Sequence, residues 1–214
     1  MHAYERIKDE RRQLDFEDVL LACAGMLEAE PQVAKAVREQ YRHFTVDEFQ
    51  DVSPLQNRLL ELWLGDRRDL CVVGDASQTI YSFAGADAGF LLDFPSRYGG
   101  ARVVRLETNY RSDAPILAVA NELMRGRAGA LHLSVAPDRV AGTDAAPVPT
   151  ATPFGDDRDE ARAVAARIAA QIADGADPRH IAVLYRAHAQ SAELVAALSD
   201  AGIATTVLGG RRFF

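Results

Sequence analysis

Two neighbouring carboxylates follow a short apolar run near the start of the chain. Asp47 and Glu48 come directly after residues 43–46, which have the pattern of a buried strand. Two acids at such a strand end suit a magnesium nucleotide site: one holds the ion through its water shell, and the other deprotonates an attacking water. The alternative interpretation is a solvated acidic turn, because charged residues are mostly exposed.

A second polar segment, residues 73–86, combines glycines, hydroxyls and an amide with two aromatic side chains. Gln78 can bond a phosphate or a water through both of its amide atoms. Tyr81 and Phe83, at a spacing of two, offer ring faces on which nucleic-acid bases could stack. The competing interpretation is that both rings pack in the core.

A third segment places an aromatic ring beside a guanidinium. Tyr110 could stack on a base and Arg111 could neutralise a phosphate, although the pair taken alone is weak evidence.

The elements that must position these segments alternate along the chain. Apolar runs at residues 43–46, 70–73 and 103–106 predict strands, and helical patterns separate them. This alternation predicts an α/β fold with parallel sheets, in which functional groups gather at the carboxyl ends of strands. The three polar segments stand at those ends. The same reasoning predicts burial of the strand residues Val46, Val72, Val73, Val104, Val183 and Leu184.

The remaining elements follow from helix periodicity and capping signals. Residues 3–41 are predicted to be helical, with Asp15 as an N-cap and Asp18 three residues later. Ser53 and Pro54 open a helix, and further helices are expected at residues 90–94 and 113–124. Residues 125–155 are predicted to be a loop with weak strands near Leu131 and at 148–154. A second α/β unit has helices at 159–173 and 190–201 and strands at 181–185 and 205–208.

Composition excludes several classes of protein. The chain has 214 residues and a net charge of −7, which argues against a simple basic nucleic-acid module. Two cysteines exclude a disulfide framework, and no apolar run is long enough to span a membrane. The expected location is therefore the cytoplasm. The only lysines, Lys8 and Lys35, do not stand in a phosphate-binding Gly-Lys-Ser/Thr loop.

Taken together and in order, these segments resemble the superfamily 1 DNA helicases of the UvrD, PcrA and Rep type. Residues 46–51 resemble motif II in its DExQD form, 73–86 resemble motif III, and 109–112 resemble motif IV. Residues 14–20 match the LDFxDLL segment that precedes motif II. Residues 181–191 and 209–214 match the segments that follow motif IV, the latter a GGxxFF signature.

The resemblance implies an architecture. The chain would hold parts of two RecA-like motor domains with parallel sheets, preceded by helices of an inserted helical subdomain. Residues 1–41 would end the helical insertion of the first motor domain, residues 42–107 would form its later half, and residues 108–214 would begin the second motor domain.

The resemblance also implies roles and ligands. The cofactors would be ATP and Mg²⁺, bound in the cleft between the motors, with single-stranded and duplex DNA and DNA-repair proteins as partners and no membrane. The expected site residues are Asp47 and Glu48 for the metal, Glu48 as general base, Gln78 as γ-phosphate sensor, Tyr110 stacking on adenine, Arg111 as arginine finger, and Tyr81, Phe83 and Arg186 on DNA.

The chain departs from the family pattern in three side chains and in what it lacks. Phe83, Ala84 and His188 stand where Trp, Arg and Asn are usual. Motif I, with its phosphate-cradling lysine, and motifs V and VI are missing, so we expect the 214 residues alone to be inactive. Two alternatives stay open: a piece of a helicase–nuclease of the RecB or AddA kind, and a non-catalytic remnant that binds DNA or protein.

Overall fold

The computed structural model describes residues 2–137 and 148–208, and it is an α/β structure with two compact units. Unit 1 is Met1–Pro149 and unit 2 is Thr150–Phe214. The expected boundaries at residues 41 and 107 stay a prediction. The GGxxFF segment lies outside the described residues.

Unit 1 begins with three helices, of which the second and third pack with each other and with a fourth. They are α1 (His2–Arg11), α2 (Phe16–Ala29), α3 (Pro31–Gln40) and α4 (Pro54–Leu64). The carboxylate of Asp15 accepts the Asp18 N–H and the Asp18 carboxylate accepts the Asp15 N–H, which confirms the predicted cap of α2. The packed face consists of small and branched side chains, namely Ala24, Leu27, Ala34, Leu59 and Leu62.

A parallel pair of strands flanks α4. Strand β1 (Phe44–Val46) pairs with β2 (Leu70–Val72), and Val46 lies opposite Val72. Helix α4 starts as predicted, with Ser53 in a capping box and Pro54 in the first turn. The result is a β–α–β unit, which brings the carboxyl ends of β1 and β2 to one edge.

A second parallel pair lies further along unit 1. Helices α5 (Gly89–Leu92) and α6 (Phe94–Arg97) come first, and then β3 (Thr108–Asn109) pairs with β4 (Ser134–Val135) across α7 (Ala114–Met124). The side-chain amide of Asn121 on α7 bonds both the N–H and the C=O of Leu133, at 2.9 Å each, and so fixes the approach to β4.

Unit 2 is built on two helices. Helix α8 (Asp157–Ala173) packs against α9 (Ser191–Asp200) around Ala165, Ile168 and Leu198. Ile181 and Val183, in the segment between the helices, pack against this core. No helix of the described ranges is both long enough and apolar enough to cross a bilayer.

Several predicted strands are wrong. Residues 103–106, 181–185 and 205–208 form no ladder, and residues 148–154 are irregular. Predicted burial also fails at three positions: Val73 is 47% exposed, Val104 65% and Leu184 90%. Val46, Val72 and Val183 are half-buried. A β-strand needs a partner for its hydrogen bonds, and each ladder among the described residues has only two strands.

Candidate active site

The predicted acidic pair lies at the carboxyl end of β1, and both side chains are exposed. Glu48 has φ 51° and ψ 40°, the left-handed region that few residues other than glycine adopt. The Asp47 carboxylate accepts the Glu48 N–H at 2.9 Å, and the Phe49 N–H bonds the Val73 carbonyl at 2.9 Å. The chain therefore turns sharply at Glu48 and presents both carboxylates beside the end of β2.

Two buried residues anchor this turn. Phe49 and Gln50 are each 1% exposed. The Phe49 ring meets Phe94 edge to face, with 5.9 Å between ring centroids. Because Phe49 and Gln50 are buried, the backbone that carries the exposed Glu48 is held in a fixed position.

Gln50 joins the turn to the segment that follows β2. Its Nε2 donates to Glu48 Oε2 at 2.6 Å, and its Oε1 accepts the Asp75 backbone N–H at 3.0 Å. Gln50 is the glutamine of the DExQD motif, and the motif alone predicts no role for it. The available signal was an amide standing between acids.

The hydrogen bonds of Gln50 continue through Asp75 to Gln78. The Asp75 carboxylate accepts the Ser77 N–H at 2.9 Å and the Gln78 Nε2 at 3.0 Å. Glu48 and Gln78, which were predicted to share a site, are thus connected through Gln50 and Asp75. We call Glu48, Gln50, Asp75 and Gln78 the amide relay.

The predicted DNA-facing rings lie at the surface of unit 1. Tyr81 is 50% exposed and Phe83 is 84% exposed, with centroids 6.1 Å apart. This exposure is the opposite of the core-packing interpretation. The loop after them is tied to the end of the motif II turn, because the Asp87 N–H bonds the Val52 carbonyl at 3.2 Å.

Tyr110 and Arg111 follow β3 and so belong to a different sheet from Asp47 and Glu48. The Asn109 side-chain oxygen accepts the Arg111 N–H at 2.9 Å and the Ser112 N–H at 2.7 Å. This turn leaves the Tyr110 ring 68% exposed. Both residues therefore follow the end of β3 (Thr108–Asn109), and not the end of the strand predicted at 103–106, which is absent.

Arg186 lies in unit 2. Gln190 Oε1 accepts the backbone N–H groups of Arg186 and Ala187, at 3.0 and 2.9 Å, at the start of α9. The Arg186 side chain is exposed.

A cleft of about 390 Å³ opens beside the acidic pair, and its lining is mainly apolar. Asp51 Oδ1 is buried next to it and has no hydrogen-bond partner within the described ranges. Leaving a buried carboxylate oxygen without a hydrogen bond costs folding free energy. The cleft is lined by Leu20, Val46, Asp47, Glu48, Asp51, Val52, Gln56, Leu59, Leu60 and Trp63.

Comparison with known proteins decides the family. Residues 1–99 match the UvrD/REP helicase N-terminal domain, and residues 104–214 match the UvrD-like helicase C-terminal domain. The chain belongs to the UvrD-like helicase family.

Relatives within the UvrD-like family match along the whole chain. It is 48% identical over 217 residues to the ATP-dependent DNA helicase UvrD2 of Mycobacterium tuberculosis, covering 99% of this chain and 30% of the relative. It is 35% identical to DNA helicase II of Escherichia coli, covering 99% of this chain and 29% of that protein. The putative helicase YjcD of Bacillus subtilis is 32% identical over 99% of this chain and 27% of its own length. The chain thus spans under a third of each relative.

Proposed function

We propose that this chain is a catalytic segment of an ATP-dependent DNA helicase that moves on single-stranded DNA and unwinds duplex in DNA repair or replication, in the cytoplasm. The observation that carries the proposal is the amide relay, which links an acidic pair at a strand end to a segment bearing two exposed aromatic rings. The names of the relatives support it, since UvrD2 is named an ATP-dependent DNA helicase and the Escherichia coli relative a DNA helicase.

The acidic pair fits a magnesium–ATP complex. Magnesium prefers oxygen ligands and keeps several waters, so one or two carboxylates beside substrate phosphates suffice. Asp47 and Glu48 are exposed carboxylates of this kind. Asp47 would hold the ion, which when bound neutralises charge on the phosphates, and Glu48 would accept the proton of the attacking water.

Three further side chains complete the nucleotide site in this proposal. Gln78 senses the terminal phosphate through its amide, while Tyr110 stacks on adenine through its exposed ring. Arg111 stabilises the charge that develops during transfer. Tyr110 and Arg111 follow β3, whereas Asp47 follows β1 in a different sheet. In this proposal the nucleotide lies between these two strand ends.

The DNA contacts come from exposed groups. Tyr81 and Phe83 offer ring faces to successive bases, and Arg186 offers a guanidinium to the DNA backbone. Because Asp75 and Gln78 precede these rings by only a few residues, DNA binding and nucleotide chemistry share one segment of chain.

The test is Glu48→Gln in the longer protein that contains this segment. The amide keeps the shape of the carboxylate and loses the base, so ATP binding persists while turnover falls by on the order of 10²- to 10⁴-fold. Nucleotide affinity and phosphate release are measured on the same preparation. Glu39→Gln, the same change on the exposed surface of α3, is the matched control and leaves turnover unchanged. A Glu48→Gln enzyme with more than half of normal turnover would refute the assignment.

A further inference from the structure

Gln50 is buried to 1% exposure although it is polar, and both ends of its side-chain amide are bonded to different segments. Buried amides that satisfy both ends rigidify the elements they join. One of these elements carries the exposed Glu48, and the other begins the segment 75–83 that ends in the exposed aromatic pair.

The orientation of the amide follows from its partners. The Asp75 backbone N–H can only donate, so the Gln50 atom that faces it at 3.0 Å is the oxygen. The NH₂ group must then face the Glu48 carboxylate, at 2.6 Å. In a flipped amide, the Gln50 NH₂ group would face the Asp75 N–H, donor against donor, and the Gln50 oxygen would face the Glu48 carboxylate, acceptor against acceptor.

Gly74 holds this side chain in place. A Cβ at position 74 would lie 2.6 Å from Gln50 Oε1 and 3.2 Å from the Gln50 backbone nitrogen. The chain after β2 therefore passes directly against Gln50, and only a residue without a side chain leaves room. Any displacement of residues 74–75 must move Gln50 or break its bond to Asp75.

We infer that Gln50 is a positioning residue that couples Glu48 to the segment 75–83, so that a shift of that segment changes the orientation of the Glu48 carboxylate. This inference rests on the proposed function of Glu48. In this inference, the Gln50 side-chain amide transmits a change caused by DNA binding at Phe83 to the orientation of the Glu48 carboxylate, which acts as the general base. Gln78 joins the same link through the Asp75 carboxylate.

The residue type suits this task. Glutamate at position 50 would keep an acceptor for the Asp75 N–H but place a negative charge against Glu48. Methionine would keep the length and remove both hydrogen bonds. Comparing the two substitutions therefore separates the effect of the hydrogen bond to Asp75 from the effect of the hydrogen bond to Glu48.

The first test uses the 214-residue chain and does not depend on catalysis. Amide hydrogen exchange is measured by NMR for Asp75, with the neighbouring Phe49 and Val73 amides, which bond backbone carbonyls, as internal references. Gln50→Met speeds exchange at Asp75 about tenfold, and Gln50→Glu changes it much less. If the exchange rate of the Asp75 amide is unchanged in Gln50→Met, the hydrogen bond between Asp75 and Gln50 is absent and the inference is overturned.

If Gln50→Met also exposes the reference amides, a second variant answers the same question. Glu48→Gln leaves position 50 intact and replaces the carboxylate that accepts from Gln50. The side-chain NH₂ signals of Gln50 then shift in the NMR spectrum. Signals that do not move show that the Gln50–Glu48 bond is absent, which overturns the inference.

The second test uses the longer protein and measures DNA-stimulated ATP hydrolysis. Gln50→Met lowers kcat on the order of 10- to 100-fold with KM for ATP nearly unchanged, because the base is misplaced and not removed. In a Glu48→Gln background the same change has no further effect on kcat. Asn57→Leu, which removes another buried amide, on α4, is the matched control and leaves kcat unchanged.

The two proposals fail in different ways. If Glu48→Gln itself keeps normal turnover, the assignment of the base is wrong. If Glu48→Gln stops turnover while Gln50→Met retains normal kcat, or lowers kcat equally in both backgrounds, the positioning role of Gln50 is wrong and the base assignment survives.

Discussion

Replacing Gly74 by alanine tests the tightest contact at the candidate site. The added Cβ would meet Gln50 Oε1 at 2.6 Å and Leu91 Cδ2 at 3.0 Å, whereas ordinary contact begins at 3.4 Å. Gln50 cannot retreat freely, because its amide is bonded to Glu48 and to the Asp75 backbone. Either these bonds stretch or the end of β2 moves away from the motif II turn.

The expected cost is that of an overpacked core, about 1–3 kcal/mol in the free energy of unfolding. For a unit of this size, each kcal/mol lowers Tm by about 2–4 °C. Urea denaturation followed by tryptophan fluorescence measures the effect selectively, because the single tryptophan, Trp63, packs against the core of unit 1.

Gly25→Ala is the matched control for this substitution. Gly25 lies within α2, and a Cβ there would meet nothing within 4 Å. Alanine at this position should stabilise unit 1 by about 0.5–1 kcal/mol. If Gly74→Ala is as stable as the wild type while Gly25→Ala behaves as expected, the close approach of Gly74 to Gln50 is refuted.

Three further predictions concern DNA binding, pH dependence and capping. Phe83→Ala should weaken single-stranded DNA binding by about 1–3 kcal/mol in the longer protein and reduce DNA-stimulated ATP hydrolysis, with basal hydrolysis much less changed; an equal fall in both rates would show that the ring is structural. The hydrogen bond from Lys8 lowers the pKa of Asp15, so the ionised Asp15 carboxylate stabilises unit 1 above about pH 4, and this stabilisation is lost as the pH falls below that value. Urea midpoints measured across pH 2–7 should show this loss in the wild type and little of it in Lys8→Met. Parallel pH profiles of the two proteins would contradict this prediction. Ser53→Ala removes the cap of α4 and should destabilise unit 1 by about 1 kcal/mol in the same fluorescence assay, and no change would show that the cap contributes nothing.

Local signals predicted the helices well because their determinants are close in sequence. Asp15 and Ser53 cap helices through residues three positions away, and Pro54 stands in a first turn. The pair β1 and β2 was predictable for a related reason. One helix separates them, and their ends carry the acidic pair and the Gly74–Asp75 turn.

The strands that failed depend on distant partners. Residues 103–106 and 181–185 have strand-like composition, but composition does not specify which segment, if any, pairs with them to form a ladder. Without that ladder, Val104 and Leu184 are largely exposed. The role of Gln50 was missed for the same reason, because its partner Asp75 is 25 residues away and the contact requires the fold.

We propose that this segment carries the base of a DNA-stimulated ATPase whose phosphate-binding Gly-Lys-Ser/Thr loop is not among these 214 residues. DNA-stimulated phosphate release, measured side by side on the longer protein and on the 214-residue chain, each with its Glu48→Gln variant, tests this most directly. We expect turnover in the longer wild-type protein alone, because phosphoryl transfer depends on the positioning of the phosphates and these 214 residues contain no Gly-Lys-Ser/Thr loop. Turnover by the 214-residue chain that disappears in its Glu48→Gln variant would contradict it.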